Sequence, residues 1–220
     1  MNKILIMAEK ENDLSDLFLK SCTGAEVHSF TDYDIPFENF DSVCILAGTE
    51  EKHISIPARN RIKIEKMIED GKRVFCEFVF SIGCVHGEGT QKTTHHRLVY
   101  SDKDISFTNL SKGDILDGHH NDLLLFPKIE GAKTILAYHD YLCAHDHIEM
   151  DDETFDSGKP ALWFLKENIL ISGFRLCNFN RARFAPMENW HKIIKGIVEF
   201  VAGDEIDLSF SEPVCHQQLL

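Results

Sequence analysis

In the first eighty residues two kinds of apolar pattern alternate, and their periods separate strands from helices. Residues 3–8 (KILIMA) and 42–47 (SVCILA) are short and continuously apolar, as in strands buried on both faces. Residues 25–30 read as another strand and residues 73–79 (RVFCEFV) as a fourth. Between them the apolar positions take helical spacing. Leu14, Leu17 and Phe18, with Ser21, share one face of a helix that Asn12 or Asp13 would cap and that runs to Cys22. Ile64, Met67 and Ile68 stripe a second helix, with Ser55 as its cap, Pro57 in its first turn and Asp70-Gly71 at its end. Apolar strands separated by amphipathic helices predict an α/β domain with a mainly parallel sheet covered on both faces.

After Ser81 the regular pattern fades. Residues 81–123 mix closely spaced glycines with polar groups and brief apolar runs, a length of loop that is functional or carries short strands of its own. Residues 123–126 and 134–138 read as further strands. Residues 160–165 and 168–174 read as a hairpin turning near residues 166–168. Trp190, Ile193, Ile194, Ile197, Val198 and Val201 then repeat at helical spacing until Gly203, with Pro186 at a first-turn position. The expected organisation is one domain over residues 1–203 and a tail over residues 204–220 that is acidic first and apolar at its end.

A formal net charge of −13 argues against nucleic acid as the partner, because phosphate binding needs a broad basic surface. The first apolar run, residues 4–8, is too short for a signal segment or a membrane span. Seven scattered cysteines with no CxxC pair read as reduced thiols, so a cytoplasmic protein without membrane association is expected. Neither GxGxxG after the first strand nor GxxxxGK[ST] occurs, and no cofactor is implied. One interval runs against the overall charge. Residues 168–187 contain no Asp or Glu, yet hold Arg175, Arg181 and Arg183 with Asn178 and Asn180. Guanidinium groups beside a helix start can hold a carboxylate, a phosphate or an oxygen-rich ligand. They can equally pin a loop through carbonyls and acidic neighbours.

Three segments together resemble one family. GKRVFCEFVFS (residues 71–81), HHRLVYSD (95–102) and LCNFNRARFAPMENWHKIIKGIVEFV (176–201) are similar to class I glutamine-amidotransferase-like domains, in particular their carbohydrate-associated, trehalose-utilisation-like branch. The resemblance implies a flavodoxin-like three-layer sandwich closed by a C-terminal hairpin and helix. It also implies a small-molecule ligand of a sugar-related kind. Catalytic members place a Cys in a Gly-x-Cys-x-Gly elbow after a central strand, served by a late His-x-Glu pair. Here Cys76-Glu77-Phe78 lacks the flanking glycines, Gly83-Cys84-Val85-His86-Gly87 has them misplaced, and His147-Ile148-Glu149 comes well before the closing block. The expectation is therefore a domain without glutamine hydrolysis.

Glu77 would stand at the carboxyl end of a parallel strand, where open α/β sheets place ligand crevices. There it could contact a ligand or pair with an arginine. Glu77, Arg97, Arg175, Asn178, Arg181 and Arg183 form the expected ligand-binding set. Cys76 reads as core. Cys84 with His86 is the candidate for an alternative thiol chemistry, with Glu77 the remaining catalytic candidate. A further alternative is a structural module that assembles as a homo-oligomer. His139, His145 and His147 are candidate metal ligands, set against ordinary loop histidines. Phe184 and Trp190 could stack on a sugar or pack in the core.

Overall fold

The computed structural model describes residues 2–48, 52–92, 95–101, 108–119, 122–139, 147–180 and 184–210. The chain opens with β1 (Ile4–Met7), α1 (Asp13–Ser21), β2 (Ala25–His28), a 3-10 turn at Phe37–Asn39, β3 (Ser42–Ile45), α2 (Ala58–Glu69) and β4 (Arg73–Glu77). Asn12 caps α1. Its Oδ1 accepts the Leu14 and Ser15 N–H groups at 3.1 and 3.0 Å, and Ser15 Oγ accepts the Asn12 N–H at 2.8 Å. The start of α2 differs from expectation. Ser55 is not its cap; Pro57 holds the N-cap position and no side chain caps the helix. The ring of Pro57 disfavours helical backbone at Ile56, so the helix cannot begin upstream of the proline. Pro186 takes the same N-cap position ahead of the last helix rather than its first turn.

The remaining elements are β5 (Ser81–Ile82), β6 (Val85–His86), β7 (Gly89–Gln91), β8 (His95–Tyr100), β9 (Ile115–His119), β10 (Leu123–Leu125), β11 (Lys133–Tyr138), α3 (Asp152–Ser157), β12 (Lys159–Lys166), β13 (Ile169–Ser172), β14 (Phe184–Ala185) and α4 (Met187–Ala202). Ten strands form one sheet in the order β14-β9-β8-β11-β12-β13-β4-β3-β1-β2. The sheet is mixed, which corrects the expectation of a mainly parallel one. β2-β1-β3-β4-β13 are joined by four parallel pairings. From β13 outward the five pairings are antiparallel. Parallel neighbours need long crossovers, which α1 and α2 supply. Beyond β4 a tight turn joins β12 to β13, whereas β8–β11, β11–β12 and β9–β14 pair antiparallel across longer connections.

Three layers result. Leu14, Leu17 and Phe18 of α1 and Trp190, Ile193, Ile197 and Val201 of α4 pack with Ile4, Ile6, Phe75 and Leu170 on one sheet face. Ile64, Met67 and Ile68 of α2 pack with Leu5, Val43, Val74 and Ile171 on the other. Gly203 ends α4 in left-handed backbone (φ 75°), the conformation its lack of a Cβ permits. Beyond it the chain turns back. Ile206, Leu208 and Phe210 pack against the α1–α4 layer, and Phe210 lies flat on His191 at 3.9 Å between ring centres. Residues 211–220 of the expected tail lie outside the described residues. No helix among the described residues is long and apolar enough to cross a membrane.

Because Asn12 satisfies two of the orphan N–H groups of α1, Asn12→Ala is expected to lower stability by about 1–2 kcal/mol. Urea unfolding checks this as a lower midpoint with an unchanged slope.

Candidate functional site

Three chain segments converge where the parallel strands end: Ala47-Gly48 after β3, Glu77-Phe78 after β4, and the loop over residues 173–180 after β13. Gly173 brings the loop into place by close approach, since a Cβ there would lie 2.3 Å from the Leu124 carbonyl oxygen. Its N–H donates to Ala161 O and its carbonyl accepts from Leu124 N, each at 2.7 Å.

Glu77 is completely buried and its carboxylate ties the segments together. Oε2 accepts the Ala47 N–H at 2.7 Å, and Oε1 accepts the Leu176 N–H. The Cys177 N–H and the Arg175 guanidinium add further stabilisation of the charge. Burial pushes the Glu77 carboxyl up from its ordinary 4.5, these donors pull it back, and the balance stands at about 7. Arg175 is 3% exposed and its guanidinium lies 5.3 Å over the Phe78 ring. The loop is also fixed to the start of α1, where Asp13 N donates to Cys177 O at 2.9 Å and Asn180 N donates to Asp13 Oδ2 at 3.0 Å. Of the expected ligand-binding set, Glu77 and Arg175 therefore meet, with half-buried Asn178 in the same loop. Arg181 and Arg183 lie outside the described residues. Arg97 is elsewhere, four strand positions from β4, about 19 Å at the usual spacing, and 3.7 Å from Asp117 on β9.

Phe78 was not marked by the sequence. It is fully buried with φ at +54°, left-handed backbone that is an outlier for a bulky side chain. Its N–H donates to Ser172 O at 2.8 Å and its carbonyl accepts the Ile54 N–H at 2.9 Å, so both sides of the kink are held. A nucleophile elbow uses such a kink at a strand end to present its reactive atom ahead of a helix. Here the kink presents a phenyl ring, and the chain continues into the β5–β6 hairpin.

Cys84 sits at the tip of that hairpin, exposed, after Gly83 at φ +58°. Glu65 Oε1 accepts the Gly83 N–H at 2.9 Å and pairs with Arg61 at 3.4 Å, clamping the turn to α2. His86 is exposed on β6, opposite Ser81. Cys44, Cys76 and Cys177 are buried, and burial pushes each thiol well up. Cys177 Sγ donates to Gly48 O at 3.3 Å. His139 is half-buried against Gly158, His147 Nδ1 lies 3.0 Å from Asp114 Oδ1, and His145 lies outside the described residues. No trio of His, Cys, Asp or Glu among the described residues is placed to hold a metal ion. Trp190 is a core residue, fully buried and edge-on to Phe174 and Phe184.

The chain matches no protein-family model and no curated protein. Its fold is that of amidotransferase-like proteins. It is similar to a protein described as a GMP synthase subunit from Thermoplasma acidophilum, at a TM-score of 0.58 and 10% identity over 92% of this chain and 95% of that one. It is similar to a glutamine amido transferase from Methylobacillus flagellatus, at 0.53 and 12% identity over 80% of this chain and 70% of that one. A third likeness is to the mmIFT52 N-terminal domain, at 0.55 and 12% identity over 94% of this chain and all of that domain.

Replacing one Glu77 oxygen by an amide N–H sets donor against donor, so Glu77→Gln is expected to cost roughly 1–3 kcal/mol. The pH dependence has a definite sign. The folded state keeps the Glu77 proton up to about pH 7 while the unfolded chain loses it near 4.5. This group's stabilising contribution is therefore full below that lower value and declines as pH rises through about 7, by about 3 kcal/mol in all. Urea titrations between pH 5 and 8 are expected to show that decline in the wild type, with a flatter profile in Glu77→Gln.

Proposed function

We propose that this chain is an amidotransferase-fold domain that binds a small carbohydrate-related or anionic molecule in the cytoplasm and does not hydrolyse glutamine. The observation that carries the reading is Phe78: the left-handed position at the end of β4 is held by a phenyl ring and not by a nucleophile. Two further features support it. Glu77 is engaged by backbone N–H groups on both carboxylate oxygens, so it is committed to holding the loop. Cys84, the exposed thiol, projects from a hairpin turn and lacks the helix N-terminus that stabilises a thiolate. The five described cysteines are all unpaired, in keeping with a reducing compartment. The carbohydrate element comes from the resemblance of residues 71–81, 95–102 and 176–201.

Incubation with glutamine is expected to release no ammonia above the rate without protein. A thermal-shift screen of sugars, sugar acids and sugar phosphates is expected to yield a stabilising ligand. At about a hundred times its dissociation constant that ligand adds roughly 2.7 kcal/mol. Glutamine-dependent ammonia release abolished by Cys84→Ser would instead establish a thiol enzyme.

A further inference from the structure

A cavity of about 330 Å³, with Glu77 not among its lining residues, lies between β11, β12 and α3. Its size falls at the lower end of small-molecule sites. Trp163, Phe155 and Pro160 give it an apolar lining, and Lys128, Lys133 and Thr134 give it polar groups. α2 covers this face of the sheet over β3 and β4. Over β11 and β12 the cavity is walled by the six-residue α3, which contributes Phe155 and Asp156.

Two observations mark the cavity as more than a packing defect. Trp163 is fully buried, yet its Nε1–H has no hydrogen-bond partner among the described residues. Buried indole N–H groups ordinarily find an acceptor, as Trp190 does on Asp117 O at 3.0 Å. The β11–β12 register also shifts twice, between Thr134 and Leu136 and between Leu136 and Ala137. Such irregularities re-aim side chains and gather beside binding sites. Charge selects the ligand. Two lysines line the cavity against one acid, Asp156, in a chain whose net charge is −13. The neighbouring Asp152 is occupied by Lys112 at 2.8 Å, and Asp151 caps α3 through the Thr154 N–H at 2.7 Å.

We propose that this cavity is the binding site for an anionic monosaccharide derivative. The anionic group meets Lys128 and Lys133, the ring lies among Trp163, Phe155 and Pro160, and a ligand oxygen accepts the Trp163 N–H. The sugar part rests on the function proposed above; the anion and the indole contact rest on the cavity.

The test uses ¹H–¹⁵N spectra of the whole chain, whose two tryptophans give two indole signals, assigned with Trp163→Phe. Gluconate, glucose 6-phosphate, inorganic phosphate and glucose are the probes. The expected result is a saturable shift of the Trp163 signal with gluconate or glucose 6-phosphate, the Trp190 signal staying in place. Combined Lys128→Ala and Lys133→Ala should weaken that binding by roughly tenfold or more, with the ligand-free spectrum otherwise unchanged. An equal response to glucose overturns the charge assignment, and an equal response to inorganic phosphate overturns the sugar assignment. Gluconate or glucose 6-phosphate raising the melting temperature without moving the Trp163 signal overturns the site and leaves the binding function standing. No response from any probe in either experiment overturns both.

Discussion

A buried carboxylate holding backbone N–H groups from segments more than a hundred residues apart is the constraint on which the mouth of this sheet depends. Glu77 joins Ala47 to Leu176 and Cys177, and the loop it fixes is bonded in turn to Asp13 at the start of α1. Ends of β3, β4 and β13 and the first turn of α1 are thereby registered against one another. Hydrophobic packing alone leaves loop geometry weakly specified, because apolar contacts have no direction. Hydrogen bonds to a carboxyl group do, and they offset part of the cost of burying its charge.

The architecture divides along β13. On one side, parallel strands alternate with helices. On the other, antiparallel strands extend the sheet across β12, β11, β8, β9 and β14. The two halves offer different kinds of surface. Strand ends in the parallel half are closed by the Glu77 loop, whereas the broad face of β11 and β12 is left to a short helix and a cavity.

Much of the parallel half was legible in the sequence, because its period is local. Residues 42–47 are apolar without a break, and Leu14, Leu17 and Phe18 repeat at helical spacing, so strand and helix could be read within a few residues. The antiparallel half was legible in part: residues 134–138 and the hairpin over residues 160–165 and 168–174 could be read from their apolar runs, whereas short strands such as β7 and β9 carry mixed residues and draw their identity from distant partners. The site was legible in part. Glu77 and Arg175 announced themselves as charges in apolar surroundings, but Glu77's partners are backbone groups, which no residue type encodes. Phe78 was invisible for a related reason: left-handed backbone is signalled by Gly or Asn, and here tertiary contacts impose it on phenylalanine. Trp163 looked like any core aromatic in PALWFL, because whether its N–H finds an acceptor depends on the course of β11.

The β5–β6 hairpin that follows β4 has an electrostatic consequence. A helix beginning at that strand end would aim its positive dipole end and free N–H groups at the crevice, a fixed source of attraction for anions. A two-stranded hairpin has almost no net dipole. At the end of β4 the pull on an anion therefore falls to side-chain cations, in a chain whose formal net charge is −13. Such attraction is screened over a Debye length of about 8 Å at physiological ionic strength. Attraction of this kind weakens with added salt far more than attraction by buried backbone dipoles.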